Sequence, residues 1–233
     1  MTELLPLFLN LQGRAVLLVG GGPVATAKLR QLLAVGARVH LVSPDVSDEI
    51  ADLVARAAIS LERRPFAPPD LDDVWLVVAA ATPEANAQVA EAAEAARVFV
   101  NAVDDPANAS AFLSGVVRRD GVTLAISTTG QAPALTALLR EALDAVLPRD
   151  LAAWVWRARA ERIAWRRDGV PMDARKPMLL RALNALYDEE ERTAEGAEIA
   201  ENKTISAHSA ISAVFSDRGP RVPWLSGPED SWL

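Results

Sequence analysis

The chain has no cysteine and only two histidines, His40 and His208, among 233 residues. Without cysteine there are no disulfides, no thiolate metal sites and no sulfur nucleophile, and the composition fits a cytoplasmic protein. Two histidines so far apart do not make a preformed zinc or iron site, so no resident metal is expected and proton transfer falls to carboxylates. Long hydrophobic runs are missing too. No stretch approaches the roughly 20 apolar residues that span a bilayer. The N-terminus, MTELLPLFLNLQGR, lacks the basic flank and small-residue cleavage site of a signal peptide. Positive charge is scarce. The formal net charge is −7, which argues against nucleic acid as a partner, because neutralising phosphates needs a basic surface. What remains is a folded, soluble composition, 51% hydrophobic and 24% charged. Its length suits one large domain or a compact domain with an appendage.

The apolar run AVLLV (15–19) reads as a buried parallel strand. From Pro23 the period changes. Ala25, Leu29, Leu32 and Leu33 form a helical stripe that Gly36 ends. RVHLV (38–42) is the next strand, and Ile50, Leu53, Val54 and Ala57 recur at helical spacing after it. A short strand near 59–62, the Pro-rich loop RPFAPPD and a strong strand VWLVVAA (74–80) follow. Thr82-Pro83-Glu84 marks a helix start, with threonine as cap and proline at the first helical position. That helix runs to about Ala96 and leads into RVFVNAV (97–103). The alternation predicts an α/β fold, a Rossmann-like doubly wound parallel sheet. Two short strands, AFLSGVV and VTLAIS, flank the turn-forming RRDG. Helices are then expected over 134–147, 151–167 and 174–191, punctuated by Pro148, Gly169-Val-Pro171 and Pro177.

Gly20-Gly21-Gly22-Pro23-Val24-Ala25 fits G-x-G-x-x-G/A, between a strand and a helix as that fingerprint requires. Gly20 allows the tight turn, Gly22 lets backbone approach a pyrophosphate, and Ala25 keeps helix close to strand. The helix N-terminus offers N–H groups and a positive dipole end. The competing reading is a ligandless glycine-rich turn. The fingerprint also expects an acidic group after the second strand. Here LVSPD offers Ser43 at the strand end and Asp45 two residues on. Asp45 either bonds the ribose or caps the next helix. No arginine stands there for a 2′-phosphate, which favours NAD over NADP.

Four segments, in order and at matching spacing over about residues 4–150, resemble the precorrin-2 dehydrogenase/sirohydrochlorin ferrochelatase family, the N-terminal module of siroheme synthase. They are LLPLFLNLQGRAVLLVGGGPVATAK, then VWLVVAAATPEANAQV with Asn86, then NAVDDPANASAF with Asn101, Asp104, Pro106 and Ser110, and finally LAISTTGQAPALTALLREALDAVLP. The resemblance implies a homodimer: an NAD-binding Rossmann domain (1–112), a dimerisation region (113–147) and a small helical domain (148–192). Over 193–233 the pattern fades into Ser, Gly, Pro and charge, which reads as a poorly ordered tail or an arm packed on a partner. It implies that NAD takes a hydride from precorrin-2 to give sirohydrochlorin, and that some members then insert ferrous iron as a second substrate. Asp104 takes the place of the family's catalytic aspartate. It follows a strand at the carboxyl edge of the sheet, where ligands bind in such folds, and a carboxylate can accept the proton that accompanies hydride loss. The alternative is an ordinary turn aspartate, with Asp105 as neighbouring competitor. Ala80, Thr82 and Asn101 complete the expected cofactor-binding set.

A polycarboxylate tetrapyrrole requires local cations. Candidates are Lys28, Arg118, Arg119, Arg140 and the run Arg157, Arg159, Arg162, Arg166, Arg167, which a solvated helix face explains as well. Thr128-Thr129 stands where the family has a serine pair, and Thr128 keeps a hydroxyl for substrate. No methyltransferase segment follows, so the methylation of the fused enzymes is not expected. A non-catalytic NAD-sensing domain and a dead dimeric scaffold are the competing functions.

Overall fold

A computed structural model describes residues 3–56 and 59–194. Five parallel strands form the main sheet: β1 (Ala15–Val19), β2 (Arg38–Val42), β3 (Ser60–Glu62), β4 (Leu76–Ala79) and β5 (Phe99–Ala102). Their order is β3-β2-β1-β4-β5. Chain order reverses at β1, which pairs with β2 on one side and β4 on the other. Such a switch point opens a crevice at the carboxyl ends of the strands.

The apolar runs of the sequence are explained by burial on both faces. Val16 and Leu18 pack with Ala25, Leu29 and Leu32 of α1 (Pro23–Ala34) and Ile50 of α2 (Asp48–Arg56). Leu17 and Val19 point the other way, toward Val89 and Ala93 of α3 (Pro83–Ala96). Thr82 caps α3 as expected, its hydroxyl accepting from Ala85 N at 3.3 Å. Pro83 opens the helix and Arg97 closes it in the left-handed region at φ 57°.

The described residues divide into two compact units, one within 3–114 together with 127–136, the other 115–126 with 137–194. In the second unit β6 (Gly115–Arg119) and β7 (Val122–Ile126) form an antiparallel ribbon. Its turn residues Asp120 and Gly121 have φ 49° and 84°, the pair of positive angles that a type I′ turn needs. The first of these strands starts at Gly115 rather than within AFL, because the chain bends at 110–111 and pairs with no strand before Gly115. Helices α4 (Pro133–Val146), α5 (Leu151–Arg167) and α6 (Met172–Ala194) follow. Arg119 fastens the end of α4, donating to the carbonyls of Leu147 at 2.8 Å and Asp144 at 3.0 Å. The sequence expects Pro177 to interrupt its helix, but α6 runs through it. Pro177 lies in the second turn, so the missing N–H removes one early bond without ending the helix. The expected tail reaches beyond the described residues from 195 onward.

Candidate functional site

Three chain segments meet at the carboxyl edge beside the switch point. The first is the turn after β1. Gly20 has φ 120°, and a Cβ there would lie 2.2 Å from the carbonyl oxygen of Ala80. Only glycine lets this turn lie against the end of β4. At Gly21 a Cβ would lie 1.9 Å from the carbonyl oxygen of Asp45, so the β2 loop rests directly on the glycine backbone. Gly22 differs. A Cβ there would meet nothing within 4 Å. Gly22 is also the N-cap of α1, and no side chain bonds the exposed amides of that terminus. The leading N–H groups of a helix lack intrahelical partners and attract anions. The turn therefore has two closed sides and one open one, with a helix N-terminus at the opening. Ala25 is fully buried and Val24 exposed, the close helix–strand packing the fingerprint requires.

The second segment follows β2. Ser43 is buried and donates to the carbonyl of Asp45 at 2.6 Å. Its hydroxyl thus shapes the loop. The cap of α2 is Ser47, whose Oγ accepts from Ile50 N at 3.3 Å. Asp45 therefore does not cap that helix, and its carboxylate stays exposed at the rim.

The third segment is built from β4 and β5. Ala80 N donates to Val19 O at 2.8 Å, and Ala81 N donates to the buried Asn86 Oδ1 at 3.0 Å. These bonds hold the Ala80–Thr82 loop beside the glycines. Asn101 is 7% exposed, its Nδ2 donating to Ala111 O at 2.9 Å. Its Oδ1 is buried with no hydrogen-bond partner among the described residues. Val103 and Ala111 pack against the same cluster as Ala25 and Leu29, which places the β5 loop on the α1 side of the sheet.

Asp104 tops this loop in the left-handed region at φ 58°. A non-glycine residue held there costs about 1–3 kcal/mol and marks backbone constrained by its surroundings. Asp105 is engaged locally, its Oδ2 accepting from Asn108 Nδ2 at 2.7 Å. Lys28, on α1, is half-buried and within electrostatic reach of Asp104. Burial holds its ammonium below the ordinary lysine range, while the Asp104 charge pulls the other way.

Three expected substrate residues belong to other segments of the chain. Thr128 lies in the first unit, in a loop that packs on the β5 side; a Cβ on Gly130 would lie 2.9 Å from Pro106 Cγ. The Thr128 hydroxyl is satisfied within its own loop, accepting from Ala132 N at 3.2 Å and bonding Thr136 Oγ1 at 2.9 Å. Arg118 and Arg140 belong to the second unit. Arg118 is exposed, and Arg140 pairs with Glu141 at 3.4 Å. Among the described residues no His, Asp or Glu cluster suits a metal ion, and no helix is long and apolar enough to cross a membrane. The sequence reading missed Ser47, Thr26 and the anchoring by Asn86. For Ser47 a signal existed: a serine followed by two acidic residues before an apolar helical run.

Residues 7–115 match the family described as "Putative NAD(P)-binding". Siroheme synthase 3 of Aeromonas hydrophila subsp. hydrophila is 45% identical over 152 residues, covering 65% of this chain and 32% of that protein. Siroheme synthase 2 of Yersinia enterocolitica is 35% identical over 231 residues, covering 98% of this chain and 48% of that protein. The chain thus spans a third to a half of the length of these curated relatives. Among solved structures, "SirC, precorrin-2 dehydrogenase" superposes with a TM-score of 0.57 at 26% identity, covering 76% of this chain and 87% of that one.

Proposed function

We propose that this chain, similar over its NAD(P)-binding segment to part of the siroheme synthases, oxidises precorrin-2 to sirohydrochlorin with NAD. The observation that carries this reading is the open Gly22 cradle at the N-terminus of α1, with Asp104 and Lys28 at the same sheet edge. The cradle fits a pyrophosphate: backbone on two sides, an uncapped helix terminus, and space where a side chain would stand. The exposed Asp45 carboxylate suits ribose hydroxyls and repels a 2′-phosphate, which favours NAD over NADP. When bound, NAD supplies the acceptor for the hydride.

The chain's own residues do the rest. Oxidation removes two electrons and a hydrogen nucleus as hydride from a ring carbon, and a proton must leave with it. Asp104 accepts that proton on a carboxylate oxygen. Lys28 lies near enough to feel the Asp104 charge, and its ammonium serves a carboxylate of the substrate. If ferrous iron is inserted as a second substrate, two pyrrole N–H protons must leave, and Asp104 is placed to take them in turn. Thr128, in the first unit, is a further substrate contact of this reading. Asn101 supports the cofactor edge through its buried carbonyl oxygen.

A homodimer accounts for the apolar surface. α4 buries none of its residues, and Leu138, Leu143 and Val146 are 46%, 38% and 42% exposed. A two-stranded ribbon such as β6–β7 is marginal without further cover. A second copy supplies it. We place the activity in the cytoplasm, in keeping with a chain that carries no disulfide.

The test is direct. Purified protein, NAD and anaerobically generated precorrin-2 should yield the sirohydrochlorin absorption spectrum together with stoichiometric NADH. No NADH above the no-enzyme control overturns the dehydrogenase reading. Ferrous iron added to sirohydrochlorin then tests insertion separately.

A further inference from the structure

We infer that Ser47 is a positioning residue that turns both carbonyls of the Gly21-Gly22 cradle away from a bound pyrophosphate. The inference rests on the reading of this edge as the dinucleotide site. Ser47 lies outside the glycine fingerprint, yet it contacts the cradle twice. Its backbone N–H donates to the carbonyl of Gly21 at 2.9 Å. Its side chain acts on Gly22 through Thr26. The Thr26 hydroxyl, on a residue that is 4% exposed, donates to the Gly22 carbonyl at 3.0 Å and lies 3.1 Å from Ser47 Oγ.

Proton counting fixes the direction of that contact. A hydroxyl has a single hydrogen, and Thr26 gives its own to Gly22. Ser47 must therefore donate to Thr26 Oγ1. Ser47 Oγ in turn accepts from Ile50 N in the first turn of α2. One directed chain results: the Ile50 amide to Ser47, Ser47 to Thr26, and Thr26 to the Gly22 carbonyl, which also accepts from Thr26 N at 3.0 Å.

The consequence is electrostatic. A carbonyl oxygen facing a pyrophosphate is repulsive, whereas an amide N–H is attractive. Glycine has no side chain to favour one peptide orientation, so the Gly21 and Gly22 peptides need external restraint. Ser47 supplies it to both at once. With the two oxygens held by Ser47 and Thr26, the N–H groups of the turn are what remains for the ligand. The same contacts tie the cradle to the loop that carries Asp45.

The experiment measures NADH affinity by fluorescence titration of the full chain, together with its thermal stability. Ser47→Ala should raise Kd about tenfold, the upper end of what one neutral hydrogen bond contributes. Ser47→Thr keeps the hydroxyl and should restore affinity to near that of the parent. Thr26→Val breaks the same chain at its next link. The double variant should then be no weaker than the worse single one, since the path is already cut. Independent structural damage would instead multiply the two losses, and that outcome overturns the inference, as does unaltered affinity in Ser47→Ala. If Ser47→Ala does not fold, Thr26→Val with Ser47→Thr keeps the question open to refutation: parental affinity in Thr26→Val sinks it. Failure of the parent chain to bind NADH is a different result, because it overturns the dinucleotide reading itself.

Discussion

Replacing Gly22 by alanine should separate folding from cofactor binding more cleanly than any other change in the glycine turn. Gly22 has φ −84° and ψ −173°, an extended conformation open to any residue. An added Cβ meets nothing within 4 Å. Gly→Ala at an unstrained position gains about 0.4–1 kcal/mol by restricting the unfolded chain, while alanine is poorer than glycine as an N-cap by up to about 1 kcal/mol. The two effects nearly cancel, so Tm should stay within about 4 °C of the parent. Gly21→Ala is the control. Its Cβ would sit 1.9 Å from Asp45 O and 2.8 Å from Val46 Cα, both backbone atoms. Overpacking of this kind costs about 1–3 kcal/mol or more, and Tm should drop accordingly. For binding, the order reverses in meaning. The Gly22 methyl occupies the space left for a pyrophosphate, and losing about 2 kcal/mol there weakens NADH roughly thirtyfold. Thermal unfolding and NADH fluorescence on the three proteins decide the matter. Parental NADH affinity in Gly22→Ala refutes the cradle, and a fall in Tm as large as that of Gly21→Ala refutes the claim that the space is empty for a ligand.

Other outcomes follow from the same geometry. Asp104→Asn keeps a residue type that tolerates the left-handed region but cannot accept a proton; NADH production should fall at least a hundredfold with Tm unchanged, and a parental rate would remove Asp104 from the chemistry. Asp104→Asn also deletes the charge that supports the Lys28 ammonium; Lys28 should titrate at lower pH than in the parent, read from the pH dependence of its acylation. Asp70, nearly buried against Arg64, has its carboxyl held below the usual aspartate range, mainly by the Arg64 hydrogen bond. The stability it contributes is therefore present above about pH 4, the unfolded aspartate value, and is lost as pH falls below it. Asp70→Asn should lower Tm at pH 7, with the gap to the parent closing toward pH 3. If α4 carries the proposed dimer contact, Leu138→Glu should give a monomer in sedimentation where the parent sediments as a dimer, at little cost to the unfolding of the chain, because the side chain is 46% exposed in one copy; a parent that sediments as a monomer overturns the dimer proposal.

The sheet is legible in the sequence because its strands are buried on both faces. Val16 and Leu18 face one helical layer and Leu17 and Val19 the other, so AVLLV cannot alternate polar and apolar residues and stands as an unbroken run. α3 is legible because its cap is local: Thr82 and Pro83 are read directly from neighbouring residues. Pro177 misleads for the converse reason. A proline's effect depends on its depth in a helix, and α6 starts at Met172, beside a loop whose Val170 carbonyl accepts twice from Arg175. That loop contact leaves no periodic trace.

The site divides along the same line. Gly20, Gly21 and Gly22 form one motif in sequence, yet each meets a different neighbour: the end of β4, the β2 loop, and open space. The fingerprint assigns Gly20 to the turn and Gly22 to ligand approach and leaves the middle position open; the fold adds that Gly21 is needed for packing against the β2 loop. Asp45 shows the reverse. Sequence leaves it between ribose contact and helix cap, and the capping of α2 by Ser47 removes the second role. As a helix cap Ser47 is legible from the acidic residues that follow it, but its contacts with Gly21 and Thr26 are not, because those partners come together only in the fold. The role of its hydroxyl at the cradle is defined by which proton it gives and which it takes. Residues whose work is done by burial announce themselves in the pattern, whereas residues whose work is done by orientation emerge only once the acceptors around them are known.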